Sequence, residues 1–154
     1  MKGGITRMRN PKSEIRNPKW NISYAQLVRV LRFNEHGLIP TVVQDTKTKK
    51  VLTLCYLNRK ALKKSLHTGI VYLFHRSQNR LMKKGETSGH IQLIKQILVD
   101  CEGKSLVFIV EQRVAACHAG YFSCYFRRLA QSGRMKVICR RVFDPKAVYR
   151  RPNV

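Results

Sequence analysis

The chain has 154 residues, 44% of them hydrophobic, which suits one domain with a buried core and excludes wholesale disorder. It carries 31 Lys and Arg against 8 Asp and Glu, a net charge of +23, which favours polyanionic or phosphorylated partners over cationic ones. The longest apolar run, Leu106 to Val110, is far too short to cross a bilayer, and no apolar signal segment follows the basic N-terminus. The protein therefore reads as cytoplasmic, with no membrane partner and with five reduced cysteines.

Residues 1–22 read as a basic, disordered tail containing a short repeat, Arg9-Asn10-Pro11-Lys12 and Arg16-Asn17-Pro18-Lys19. Six basic residues and one acidic fall in 1–20, and nine basic and one acidic in 125–154, so the two ends hold +13 of the total. Nucleic acid is a candidate partner for these ends; a solvated surface and attraction of a phosphorylated small substrate are the other readings.

Ser23 to Phe33 has apolar residues at helical spacing (Tyr24, Leu27, Val28, Leu31). Leu38 to Gln44 and Val51 to Leu57 read as strands around a polar turn at 46–50. Asn58 is an N-cap for a short helix that stops at Gly69. Ile70 to Phe74 reads as a strand and Gln78 to His90 as a polar loop. Ile91 to Asp100 alternates, with Ile91, Leu93, Ile97 and Val99 on one side, and Ser105 to Gln112 returns as the next strand. The expected class is α+β, a mainly antiparallel sheet with one or two short helices. The domain is set at 23–130, with 131–154 a basic C-terminal extension.

Cys101, Cys117 and Cys124 are the candidate metal ligands. Three thiolates suit zinc and leave a fourth position open for water, as in catalytic rather than structural sites. Their spacing forms no Cys-x-x-Cys knuckle, so buried small hydrophobes are the competing reading. Cys55 and Cys139 sit in apolar, strand-like contexts and read as core. Asp100 and Glu102 flank Cys101 and project together from an extended chain, as ligands of a harder cation or as a solvated hairpin end. His118 adjoins Cys117 and is a candidate general base, or else a hydrogen-bonding neighbour of the metal. In Lys84-Gly85-Glu86-Thr87-Ser88-Gly89-His90, the residues Gly85, Thr87 and Ser88 offer amides and hydroxyls to a phosphate, beside Lys84 and Arg76. A plain surface turn is the alternative. His36, His67 and His75 have no distinguishing context.

Several segments together resemble the phosphoribosyl-AMP cyclohydrolases of histidine biosynthesis. They are Gly37-Leu38-Ile39-Pro40, Val43-Gln44-Asp45, Tyr56-Leu57-Asn58, Lys84 to Gln92, Asp100-Cys101, Val110-Glu111-Gln112, and Ala116-Cys117-His118 with Ser123-Cys124. Phe143 to Tyr149 resembles a common ending of that family. The resemblance implies an intertwined homodimer whose zinc is shared between subunits, Cys101 from one and Cys117 and Cys124 from the other. It implies hydrolytic opening of the adenine ring of phosphoribosyl-AMP at the N1–C6 bond, with His118 as base or proton shuttle. Arg76, Ser77, Lys84, Gly85, Thr87, Ser88 and His90 would bind this phosphorylated nucleotide. Fused versions carry a pyrophosphohydrolase domain, which is not expected here.

The departures are local. The family's acidic run binds magnesium; here it reads Asp100-Cys101-Glu102-Gly103-Lys104, so Asp100 and Glu102 keep carboxylates while Lys104 replaces the third ligand. An ammonium has no lone pair for a metal, which puts magnesium in doubt and makes Lys104 a candidate internal counter-ion. Phe74 and Met82 stand for tryptophans, and Tyr121-Phe122 for two arginines. These changes leave open a weakened member that binds nucleic acid and keeps zinc as a structural staple.

Overall fold

A computed structural model describes residues 23–150. The tail expected over 1–22 and the last four residues of the extension lie outside the described residues.

The first helix, α1 (Tyr24–Val30), starts at a capping box: Ser23 Oγ accepts from the Gln26 amide at 3.2 Å and the Ser23 amide donates to Gln26 Oε1 at 2.9 Å. It ends three residues before the expected Phe33. Leu31 is extended, and the Arg32 amide donates instead to Gly103 O at 2.7 Å. A tertiary bond has displaced the next helical one.

Strands β1 (Ile39–Asp45) and β2 (Val51–Leu57) form an antiparallel hairpin. Its turn is held by the buried Asp45, whose Oδ2 accepts from the Thr48 amide at 2.7 Å and the Thr48 hydroxyl at 2.8 Å. Burial pushes the Asp45 carboxyl up, but these bonds and the Gln112 amide outweigh it and leave the group below its ordinary 3.8. A depressed carboxyl stabilises the fold above about pH 4 and loses that contribution as pH falls through its folded-state value. Asp45→Asn is expected to cost about 1–3 kcal/mol at neutral pH and to flatten the acid limb of stability. Urea denaturation at pH 7 and pH 3 reads both effects, and an unchanged acid limb would count against Asp45.

Helix α2 (Arg59–Thr68) follows Asn58, whose Oδ1 accepts from the Ala61 amide at 2.8 Å, and stops at Gly69. It buries Ala61, Leu62 and Ser65, and the Ser65 hydroxyl accepts from the Tyr72 amide at 2.8 Å. Strand β3 (Tyr72–His75) then pairs antiparallel with β4 (Arg80–Lys83). The second strand corrects the expected unbroken loop over 78–90. A short, half-exposed strand reading Arg-Leu-Met-Lys has too little apolar content to mark itself.

Strands β5 (Gln92–Val99) and β6 (Leu106–Gln112) complete a four-stranded sheet of order β2-β1-β6-β5. Its central pair, β1 with β6, is parallel and its other pairs are antiparallel. A bulge in β5 lets Ile94 pair with Val110 and Gln96 with Ile109, leaving Lys95 extra. The expected single apolar side is therefore broken: Gln92 is fully buried and Val99 is 38% exposed. Ile39, Val43, Leu52, Leu57, Leu62, Phe108 and Val110 fill the core, each large side chain contributing about 1.5–3 kcal/mol by burial.

Beyond the sheet come β7 (Arg127–Leu129) and β8 (Met135–Val137), an antiparallel hairpin whose strand residues are all exposed, then the single turn α3 (Pro145–Val148). This hairpin crosses the 130/131 boundary drawn from charge. Cys139 is exposed, not core as its neighbours implied, because it follows the hairpin outside the packed layers. The architecture is α+β with mainly antiparallel sheets and few helices. No helix among the described residues is long and apolar enough to cross a membrane.

Candidate active site

The loop after β4 is shaped by its own backbone. The Gly89 amide donates to Gly85 O at 2.8 Å, and the His90 amide to Ser88 Oγ at 3.1 Å. Gly85 has φ +82°, and a Cβ there would sit 2.6 Å from the His90 carbonyl carbon. The amides of Gly85, Thr87 and Ser88 donate to no acceptor among the described residues. Arg80 pairs with Glu86 and braces the loop from the β4 side. Gly85→Ala is expected to cost about 1–3 kcal/mol by strain; thermal melting measures the loss, and a variant as stable as wild type would refute the role of this glycine.

The other half of the site begins where β6 ends. Val114 has φ +57°, and the Ala115 amide donates to Arg113 O at 2.8 Å, a tight turn on a β-branched residue. It aims the chain into Ala116-Cys117-His118, which closes on itself through Ala116 N to Phe122 O at 2.9 Å and Gly120 N to Cys117 O at 3.1 Å. The Cys124 amide donates to Leu52 O at 2.8 Å, and Ser123 Oγ to Val51 O at 2.7 Å, which pins Cys124 to β2. Cys117 and Cys124 are electrostatic neighbours here. Burial pushes the Cys124 thiol up, as does Cys117, against the pull of the Thr53 hydroxyl and the Lys84 ammonium. Two neighbouring sulfurs, Cys117 buried and Cys124 half-buried, are soft donors, and the pair fits a soft dication. Cys55 is core, as its sequence context implied, its thiol pushed by burial to about 12.

Two cavities, of about 390 and about 570 Å³, adjoin at this point and share His75, Met82, Lys84 and His118. The first is lined by Gly85, Thr87, Ser88 and His90, the second by Arg76, Ser77 and Cys124. His118 is exposed to both. The Arg76 guanidinium lies 4.0 Å over the Tyr56 ring. The seven residues expected to bind phosphates, with His118, thus converge on one cleft. His75 was missed: it lines both cavities and its Nδ1 lies 3.2 Å from Ser77 Oγ. Its spacing from Ser77 was the available signal.

Cys101 stands apart. It is exposed in the β5–β6 turn, which is tied to the end of α1 through Arg32 and Gly103. Among the described residues no three His, Cys, Asp or Glu side chains form a metal-sized group. In the same turn Asp100 accepts from the Lys104 amide at 2.8 Å, the Glu102 amide at 3.2 Å and Ser105 Oγ at 2.7 Å. The Ser105 hydroxyl leads in holding the Asp100 carboxyl below its usual range. Lys104 Nζ lies 3.0 Å from Glu102 Oε1. With these carboxylates already served by protein donors, the turn fits a hard cation poorly.

A scaffold with this cleft belongs to the hydrolases, as comparison with known proteins establishes. Residues 53–126 match the family model described as phosphoribosyl-AMP cyclohydrolase. The phosphoribosyl-AMP cyclohydrolase of Pelotomaculum thermopropionicum is 46% identical over 119 residues, 77% of this chain and 92% of that protein. That of Methanosarcina acetivorans is 49% identical over 115 residues, 75% of this chain and 92% of its own length. The histidine biosynthesis bifunctional protein HisIE of Thermoanaerobacter pseudethanolicus is 46% identical over 127 residues; the chain spans 82% of itself and 58% of that protein. The chain belongs to the phosphoribosyl-AMP cyclohydrolase family.

Proposed function

We propose that this protein opens the adenine ring of phosphoribosyl-AMP by hydrolysis in histidine biosynthesis, with zinc, as a cytoplasmic homodimer. The observation that carries this reading is the meeting of two cavities at His118 beside the Cys117–Cys124 pair. The substrate has two phosphoribosyl arms on one adenine. In this reading one arm would lie in each cavity, which would bring C6 of the ring to the junction.

Cys117 and Cys124 would hold zinc together with Cys101 of a second copy. Zinc supplies Lewis-acid activation of water at neutral pH. His118 takes a proton from the attacking water as its oxygen bonds to C6. It returns that proton to N1 as the N1–C6 bond breaks, and the oxygen's second proton passes to the exocyclic nitrogen, so that C6 becomes a carboxamide carbon. Lys84 and the free amides of Gly85, Thr87 and Ser88 bind one phosphate, while Arg76 and Ser77 bind the other. Exposed Leu98 (49%) and Val99 (38%) beside the Cys101 turn support a partner contact there. Magnesium has no part in this proposal.

The test is the zinc-loaded protein, freed of nucleic acid, with ring opening followed by absorbance. Turnover is expected; none with stoichiometric zinc bound would sink the reading.

A further inference from the structure

The turn α3 has no structural reason to exist by burial, since none of its own residues is buried. It is nevertheless built with care. Asp144 caps it through the Lys146 amide at 3.0 Å, Pro145 starts it, and the Tyr149 amide closes it on Pro145 O at 2.8 Å. Its anchors lie on both halves of the cleft. On the Cys117 side, the Val142 amide donates to Gly120 O at 2.7 Å and Arg141 Nε to Ala119 O at 3.0 Å. The approach is close enough that a Cβ on Gly120 would meet Phe143 O at 2.6 Å. On the loop side, the Phe143 ring meets the His90 ring edge-on at 4.7 Å, and Tyr149 lies 6.3 Å from Phe143.

Tyr149 lines the smaller cavity with Lys84, Thr87 and Ser88. Its hydroxyl has no hydrogen-bond partner among the described residues, so it keeps a donor for a ligand. The composition of the last thirty residues conceals this, because cations dominate it.

We infer that the segment from Arg141 to Tyr149 is a wall of the substrate cleft, with Tyr149 a binding residue for the phosphoribosyl arm held by the Gly85–Ser88 loop and Phe143 the positioning residue that sets His90 and Tyr149 relative to that loop. The inference rests on the proposed cyclohydrolase activity for the identity of the arm. The wall itself is independent of it, because AMP carries one such arm without being a substrate for ring opening.

The experiment uses the zinc-loaded full chain, with AMP as calorimetric probe and phosphoribosyl-AMP as substrate. Tyr149→Phe is expected to weaken AMP binding and raise KM by about 5–20-fold, with kcat within about twofold. Phe143→Ala is expected to do at least as much with zinc content unchanged, and Phe143→Leu to recover part of the loss. Should Phe143→Ala fail to fold, the exposed Tyr149→Phe variant carries the test alone. Wild-type AMP affinity and KM in Tyr149→Phe, or a fall in kcat with KM unchanged, would overturn the inference while leaving the activity standing. Full AMP binding and its loss in the variants, with no turnover in wild type, would uphold the wall and defeat the cyclohydrolase reading instead.

Discussion

Cys117→Ser and Cys124→Ser are each expected to lose zinc and at least about a thousandfold in activity, since in the proposed reaction the zinc they would hold activates the water. Cys101→Ser is expected to be equally dead, although Cys101 lies in a separate turn and no single protomer assembles a three-ligand group among the described residues. The decisive measurement is a mixture. Unfolding and refolding Cys101→Ser with Cys124→Ser in equal amounts gives half mixed dimers. Each of these has one site with all three sulfurs intact and one that keeps only Cys117. Activity is therefore expected to return to about a quarter of wild type. No recovery in verified mixed dimers would show that the three cysteines do not share a metal across two copies. Serine is chosen over alanine because it keeps the volume of the buried Cys117 site and limits the cost to packing.

His118→Ala is expected to lower kcat by about 10²–10⁴-fold, the usual share of a positioned acid–base group, while zinc content and AMP affinity stay near wild type. The reason is placement: His118 is exposed, follows a buried cysteine directly, and lines both cavities. A histidine that merely packed beside the metal would change zinc affinity more than kcat. Equal losses in zinc binding and activity would assign it that lesser role.

Local rules were written plainly in some segments. Asn58 and Gly69 delimit α2 because each satisfies backbone groups that a helix end leaves open. Val51–Leu57 is a strand to the residue. The Lys84–His90 loop stood out by its glycines and hydroxyls. Other features depend on distant contacts that periodicity does not encode. The β5 bulge re-aims Gln92 into the core through pairing with β6, and the Gln92 Nε2 then donates to Gln112 Oε1 at 2.7 Å. The truncation of α1 depends on a turn seventy residues away in the chain, at Gly103. The spacing of Cys101, Cys117 and Cys124 forms no knuckle, and their places in the fold, Cys117 near Cys124 with Cys101 in a separate exposed turn, are set by tertiary contacts. Phe143 and Tyr149 were noticed only as part of a family ending, because their place against His90 is a tertiary fact.

The parallel pairing of β1 with β6 has a bearing on synthesis. Thr41–Asp45 waits for Leu106–Val110, so the first hairpin leaves the ribosome with Ile39 and Val43 uncovered on one side and an open strand edge. Long-range parallel pairing closes slowly, because the intervening loop must be ordered first. The Cys117 turn is threaded after β6 and pinned to β2. The two sulfurs lie in a turn that follows β6 in the chain, so their seat against β2 is completed only after β6 has been made.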